Sequence, residues 1–147
     1  MNTLERFGPL LGRILIALIF IVAGYGKITG FDGTVGYIAS TGLPFPQLLT
    51  LGAIVVELGG GILLITGWQA RWAATALLVF TAFAALWFHN FWAVPADQVQ
   101  NQTIHFMKNV SMMGGLLYVV AFGAGALRVG RSTAAAAGAG NAGRVTA

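Results

Sequence analysis

Residues 48–67 read LLTLGAIVVELGGGILLITG, twenty consecutive positions of which one, Glu57, is charged. At about 1.5 Å per residue a helix of that length reaches roughly 30 Å, the thickness of a bilayer's hydrocarbon core. An apolar run this long and this pure is built for lipid. Three further blocks, at about 10–28, 72–94 and 104–127, repeat the pattern with short polar breaks between them. The reading is an all-α membrane protein, a four-transmembrane-helix bundle occupying 10–127. Residues 1–9 form a short cytoplasmic N-terminus. Residues 128–147 run into alanine and glycine repeats that bury too little to offset the entropy of ordering, so a disordered cytoplasmic tail is expected.

Composition agrees. The chain is 57% hydrophobic and 8% charged, whereas soluble domains give about a quarter of their residues to charge. The first block is too long for a signal-peptide core and is followed by Tyr25-Gly26-Lys27 rather than a small-x-small cleavage site, so it is retained. With no cysteine, dithiol redox chemistry and iron–sulfur clusters are excluded. The net charge of +4 would raise nucleic acid as a partner in a soluble protein. Here the basic residues sit at span ends, where topology accounts for them. Arg6, Arg13, Arg71, Arg128, Arg131 and Arg144 fall on one side of a four-span chain and only Lys27 and Lys108 on the other, which puts both termini in the cytoplasm. The expected location is the bacterial cytoplasmic (inner) membrane.

The connection 29–47 carries turn residues, Gly30, Asp32-Gly33, Gly36, Gly42, Pro44 and Pro46, around a short segment at 34–38 whose Tyr37 would anchor at the headgroups. The connections at 68–71 and 95–103 are shorter.

Glu57 lies about 14 Å below the outer boundary, near the midplane. A lone carboxylate there is costly, so it must face the bundle interior and be paired, hydrogen-bonded or protonated. Either it locks helix packing or it marks a site, and intramembrane ionisable groups are functional by default. Helical steps of three and four place Arg13, Ala17, Phe20, Gly24 and Lys27 on one face of the first span, and Thr50, Ile54, Glu57, Gly61 and Leu64 on one face of the second. Gly59-Gly60-Gly61 allows close helix approach or leaves space for a ligand, with packing the stronger reading. In the fourth span the stripe is His105, Lys108, Met112, Gly115 and Val119. Lys27 and Lys108 can each snorkel to water or turn inward to Glu57.

The third span ends in Trp87-Phe88-His89-Asn90-Phe91-Trp92. Tryptophans at that depth ordinarily form an interfacial belt, though a quinone head could stack there and hydrogen-bond to His89 or Asn90. His89 and His105 on consecutive antiparallel helices are the minimum for a bis-histidine haem or a metal site, but two histidines beside a loop are weak grounds, so haem is disfavoured and no metal site is assigned.

The order of these motifs resembles the DoxX family of small four-helix membrane proteins. The residues that carry it are Arg13, Phe20-x-x-Ala23-Gly24-x-x-Lys27, Thr34-x-x-Tyr37, Gly42-x-Pro44, Glu57-x-x-Gly60-Gly61-x-Leu63, Gly67-x-x-x-Arg71, Lys108-Asn109 and Gly114-Gly115-Leu116, spanning about 10–127. The resemblance implies an association with sulfur or oxidative-stress redox chemistry, as in the small subunit of a thiosulfate:quinone oxidoreductase. It carries over Glu57, Lys27 and Lys108 as a site; with Asn109 these are the catalytic candidates, and the aromatic end of the third span with the start of the fourth gives His89, Asn90, His105 and Trp92 as candidate cofactor contacts. Three functions compete. One is a subunit of a quinone-linked oxidoreductase. The second is a non-catalytic scaffold that recruits a redox or stress-response partner, and the third, favoured least, is a pathway for protons or small solutes. The expected partners are the bilayer, a redox enzyme and a second copy of the chain, whose contact the small-residue faces at Gly114-Gly115 and Gly123-x-Gly125 would suit.

Overall fold

The structure, a computed structural model, describes residues 2–130. Among them every regular element is helical. Helix α1 is Thr3–Thr29, α2 is Phe31–Ser40, α3 is Pro46–Thr66, α4 is Ala70–Phe88 and α5 is Ala96–Phe122. A single 3-10 turn, Phe91–Ala93, sits between α4 and α5. Each boundary has a local cause. Asn2 and Glu5 close a capping box at the start of α1. Pro46 opens α3, where its missing N–H costs nothing. Gly67, at φ 74°, ends α3 in the left-handed region, and its N–H bonds to the Leu63 carbonyl.

Helices α1, α3 and α4 are long and apolar enough to cross a membrane. Helix α5 is as long as α1 but polar through its first half, from Asp97 to Asn109. It packs along α4, while α1 packs along α3. The shared core is small and tight: Ala17 and Phe20 from α1, Leu64 from α3, Ala73, Ala74 and Leu77 from α4, and Leu116 and Val119 from α5. Outward faces carry Leu15, Leu18, Val22, Val55, Ile62, Val79, Leu86 and Leu117, all exposed. An apolar exterior of this extent is stable only in lipid.

Glycines mark the helix crossings. A Cβ on Gly24 would lie 2.8 Å from the Leu58 side chain, one on Gly60 2.7 Å from Leu77, and one on Gly61 2.7 Å from Ile21. Packing is therefore what Gly60 and Gly61 provide, whereas Gly59 meets nothing within 4 Å.

Three local expectations change. The 29–47 connection holds a true helix, α2, because burying Ile38 outweighs the helix cost of Gly33 and Gly36, about 1 kcal/mol each. The last long helix begins at Ala96 rather than near 104 and stops at Phe122 rather than 127, since Gly123 adopts φ 80° and turns the chain. Residues 123–130 then lie back against the bundle, with the Val129 N–H 2.8 Å from the Thr66 carbonyl. The tail beyond 130, expected to be disordered, lies outside the described residues.

Candidate functional site

The faces laid out from helical spacing meet inside the bundle. Arg13, Ala17, Phe20 and Gly24 are the buried residues of α1, and Lys27 continues their stripe in its last turn. In α3 the buried set is Thr50, Ala53, Glu57, Gly60, Gly61 and Leu64. Between Ile54 and Gly60 the helix widens into a π turn, Val55–Gly59, with Glu57 at its centre. Such turns insert a residue into an α-helix and occur most often at functional positions.

Lys27 Nζ donates to Glu57 Oε1 at 3.0 Å and lies 2.8 Å from Oε2, out of line for a second hydrogen bond. Glu57 is 4% exposed, whereas the Lys27 side chain is 25% exposed. The lysine is thus the accessible half of the pair. It opens on a cleft of about 770 Å³ whose lining is mainly apolar, from Phe20 and Ala23 of α1, Val56 of α3, and Phe80, Phe83 and Ala84 of α4. Helix α2 contributes Thr34, Tyr37 and Ile38, and α5 contributes Lys108, Asn109 and Met112. Tyr37 stands 5.7 Å from Phe88, ring to ring, and Phe88 packs edge-on to Phe83 at 6.3 Å, so an aromatic run borders the cleft.

Of the eight residues singled out by the sequence, five line this cleft: Lys27, Glu57, His89, Lys108 and Asn109. Lys108 does not turn to Glu57. It is exposed, and its Nζ stands 3.4 Å from His105 Nδ1. The buried residues of α5 are Asn109, Leu116 and Val119; Val119 belongs to the stripe expected through Lys108, whereas Asn109 and Leu116 each stand one residue on from it. Asn109 is 5% exposed, and its amide makes no hydrogen bond among the described residues. Asn90, His105 and Trp92 stand outside the cleft lining. Trp92 packs edge-on against Phe91 and Phe106 instead, because α4 ends at Phe88 and the chain turns before the tryptophan. His89 bonds to Gln102 at 2.9 Å and stacks on His105 with ring centres 5.1 Å apart. Two rings stacked on each other do not offer their nitrogens to the opposite faces of a haem iron.

Tyr37 and Thr81 line the cleft without having been singled out as contacts. Tyr37 had an interfacial reading that fits its half-exposed ring. The Thr81 hydroxyl donates to the Leu77 carbonyl at 2.6 Å, so one threonine inside an apolar helix gave no separate signal. Arg13, counted among the boundary charges, is 1% exposed and is an internal group. Its guanidinium donates to the Leu64 carbonyl at 2.6 Å, the Ile65 carbonyl at 3.3 Å and the Leu127 carbonyl, holding the end of α3 and the 123–130 segment together.

A family model described as DoxX matches residues 8–90. The inner membrane protein YphA of Escherichia coli (strain K12) is 38% identical over 139 residues, covering 89% of this chain and 99% of YphA. The inner membrane protein YqjF of the same organism is 37% identical over 131 residues, covering 89% of this chain and 95% of YqjF. CatD of Bacillus subtilis (strain 168), which carries a provisional oxidoreductase name, is 38% identical over 71 residues, 48% of this chain and 52% of CatD. No solved structure matches the chain.

Proposed function

The chain belongs to the DoxX family of inner-membrane proteins, and from that premise we propose that it is a membrane subunit of a quinone-linked redox system whose head-group site is the cleft beside Lys27 and Glu57. The observation that carries this reading is an ion pair with a buried carboxylate and an accessible lysine in the wall of a largely apolar cleft of about 770 Å³, within the range of small-molecule sites. The provisional oxidoreductase name of CatD supports the redox direction.

The residues fit a quinone head. Tyr37 and Phe88 supply an aromatic flank, and Lys27 Nζ and the free Asn109 amide supply polar contacts for carbonyl oxygens. When bound, the quinone would supply two-electron, two-proton chemistry, with the electrons delivered by a partner oxidoreductase. Lys27 Nζ, which donates to Glu57 Oε1, would also offer an N–H to a quinone carbonyl in the cleft. Glu57 Oε2, the carboxylate oxygen with no donor in line, is positioned to take up a proton behind it. The surrounding apolar side chains limit water at both groups.

In this reading α5 is the fourth span and both termini are cytoplasmic. With Arg13 set aside as internal, Arg6, Arg71 and Arg128 still stand at one end of the described residues against Lys27 and Lys108 toward the other. The test is thermal melting of purified protein with short-chain quinone analogues. Wild type should melt higher with them and Glu57→Gln should not, and no shift with any quinone would overturn the proposal.

The near-complete burial of Glu57 favours a second reading, a scaffold in which the pair is structural and the outer loops recruit a redox or stress-response partner. Glu57→Gln would then lower stability but leave turnover per assembled complex unchanged.

A further inference from the structure

The opposite end of the bundle holds a second cleft, of about 760 Å³, bounded by the α3–α4 turn and the 123–130 segment. Its lining includes Gly67, Trp68, Arg71, Trp72, Phe122 and Arg128. Charge at this end is predominantly positive, with Arg6, Arg13, Arg71 and Arg128 against Glu5 among the described residues. The whole sequence has four acidic side chains, Glu5, Asp32, Glu57 and Asp97, and residues 131–147 contain none. Glu57 is paired with Lys27, and Glu5 is occupied in the capping box of α1. Asp32 and Asp97 lie in the first turns of α2 and α5, which begin at the other end of the bundle.

Arg13 makes the imbalance acute. Its guanidinium is buried, its hydrogen-bond partners are neutral carbonyls, and Nε has no partner among the described residues. Helix-end carbonyls carry only part of a negative charge, so a net positive charge stays inside the bundle. That charge stands directly behind the cleft. A Cβ on Gly67 would collide with Arg13 Nη1 on one side and come within 2.8 Å of Arg128 Cβ. Gly67, which lines the cleft, thus packs directly against the buried guanidinium on its other side. At the rim, Arg71 donates one hydrogen bond, to the Ala121 carbonyl at 3.2 Å, and the rest of its fork is unengaged among the described residues.

We propose that this cleft binds the phosphate of an anionic phospholipid, held by Arg71 and Arg128 and neutralising the charge of Arg13 behind Gly67. The rim says which source of phosphate. Trp68 and Trp72 are exposed, as aromatic side chains at the headgroup level are, and Phe122, 76% exposed, offers an apolar flank along which an acyl chain can run. Basic pockets at the ends of membrane helices are suited to such headgroups.

The test is native mass spectrometry and thermal melting of the full-length protein in neutral detergent, titrated with phosphatidylglycerol, phosphatidylcholine or inorganic phosphate. Phosphatidylglycerol should bind saturably and raise the melting temperature, while phosphatidylcholine should not. Arg71→Gln and Arg128→Gln should each weaken binding about fivefold, and Arg71→Lys, which keeps the charge, should weaken it less. Arg6→Gln removes the same charge at the same end but outside the cleft and should bind as wild type does. Equal binding of phosphatidylcholine, or an equal loss in Arg6→Gln, overturns the site. An equal response to inorganic phosphate overturns the lipid assignment in favour of a soluble anion.

Discussion

Lys27→Met removes the cation that faces Glu57 and leaves an apolar stem of similar length. The carboxylate left behind, 4% exposed, cannot turn to water, so it either stays charged without a partner or takes a proton. Breaking a buried pair from one side costs about 3–5 kcal/mol. Glu57→Gln is gentler, because glutamine keeps an acceptor and the lysine, with a side chain 25% exposed, can swing toward the cleft. That loss should be about 1–2 kcal/mol, the scale of one hydrogen bond to a charged group. Combining the two removes both charges, and the double variant should lose far less than the singles together, a coupling of about 2 kcal/mol or more. The assay is reversible unfolding in mixed micelles, followed by circular dichroism as denaturing detergent is added at constant lipid. Singles of equal cost, or costs that add to within about 0.5 kcal/mol, would refute the reasoning.

Other perturbations test the frame around the pair. Gly61→Val drives a side chain into Ile21 and should destabilise by about 1–3 kcal/mol in the same unfolding assay, whereas Gly59→Val, with open space around it, should fall well below that. Arg13→Met strips donors from the Leu64, Ile65 and Leu127 carbonyls; the 123–130 segment should loosen, read as faster amide exchange there than in α4. Gly67→Ala forces a Cβ into the left-handed region and onto Arg13, so a loss of more than about 1 kcal/mol is expected from thermal melting.

What the sequence shows of this molecule follows the strength of its periodic signals. The buried face of α1 could be read residue by residue, since one polar group in four on an apolar rod leaves little choice of face. The partnership of Lys27 and Glu57 was within reach for the same reason, although spacing alone could not choose between Lys27 and Lys108. Helix α5 was harder. From Asp97 to Asn109 polar residues fall on every side, so the stripe could start from Lys108 or Asn109, and only packing against α4 selects the asparagine. Arg13 looked like a boundary charge because a guanidinium satisfied by backbone carbonyls leaves no acidic partner in the sequence to find. Helix α2 hid behind Gly33 and Gly36, whose turn preference is overridden by tertiary contact.

The π turn of α3 gives the span two phases. Each residue of an α-helix advances the side-chain direction by about 100°. Removing Val55 would let the rod rewind as a uniform α-helix. Then either Glu57 could point at Lys27, or Gly60 and Gly61 could point at Leu77 and Ile21, but one rigid helix could not serve both. The lower half of the span is keyed to its neighbours by missing side chains and the upper half by a carboxylate, and a single surplus residue keeps the two settings compatible. A deletion there would act on the span as a rotation, leaving every residue present in the chain and either the ion pair or the glycine contacts out of register.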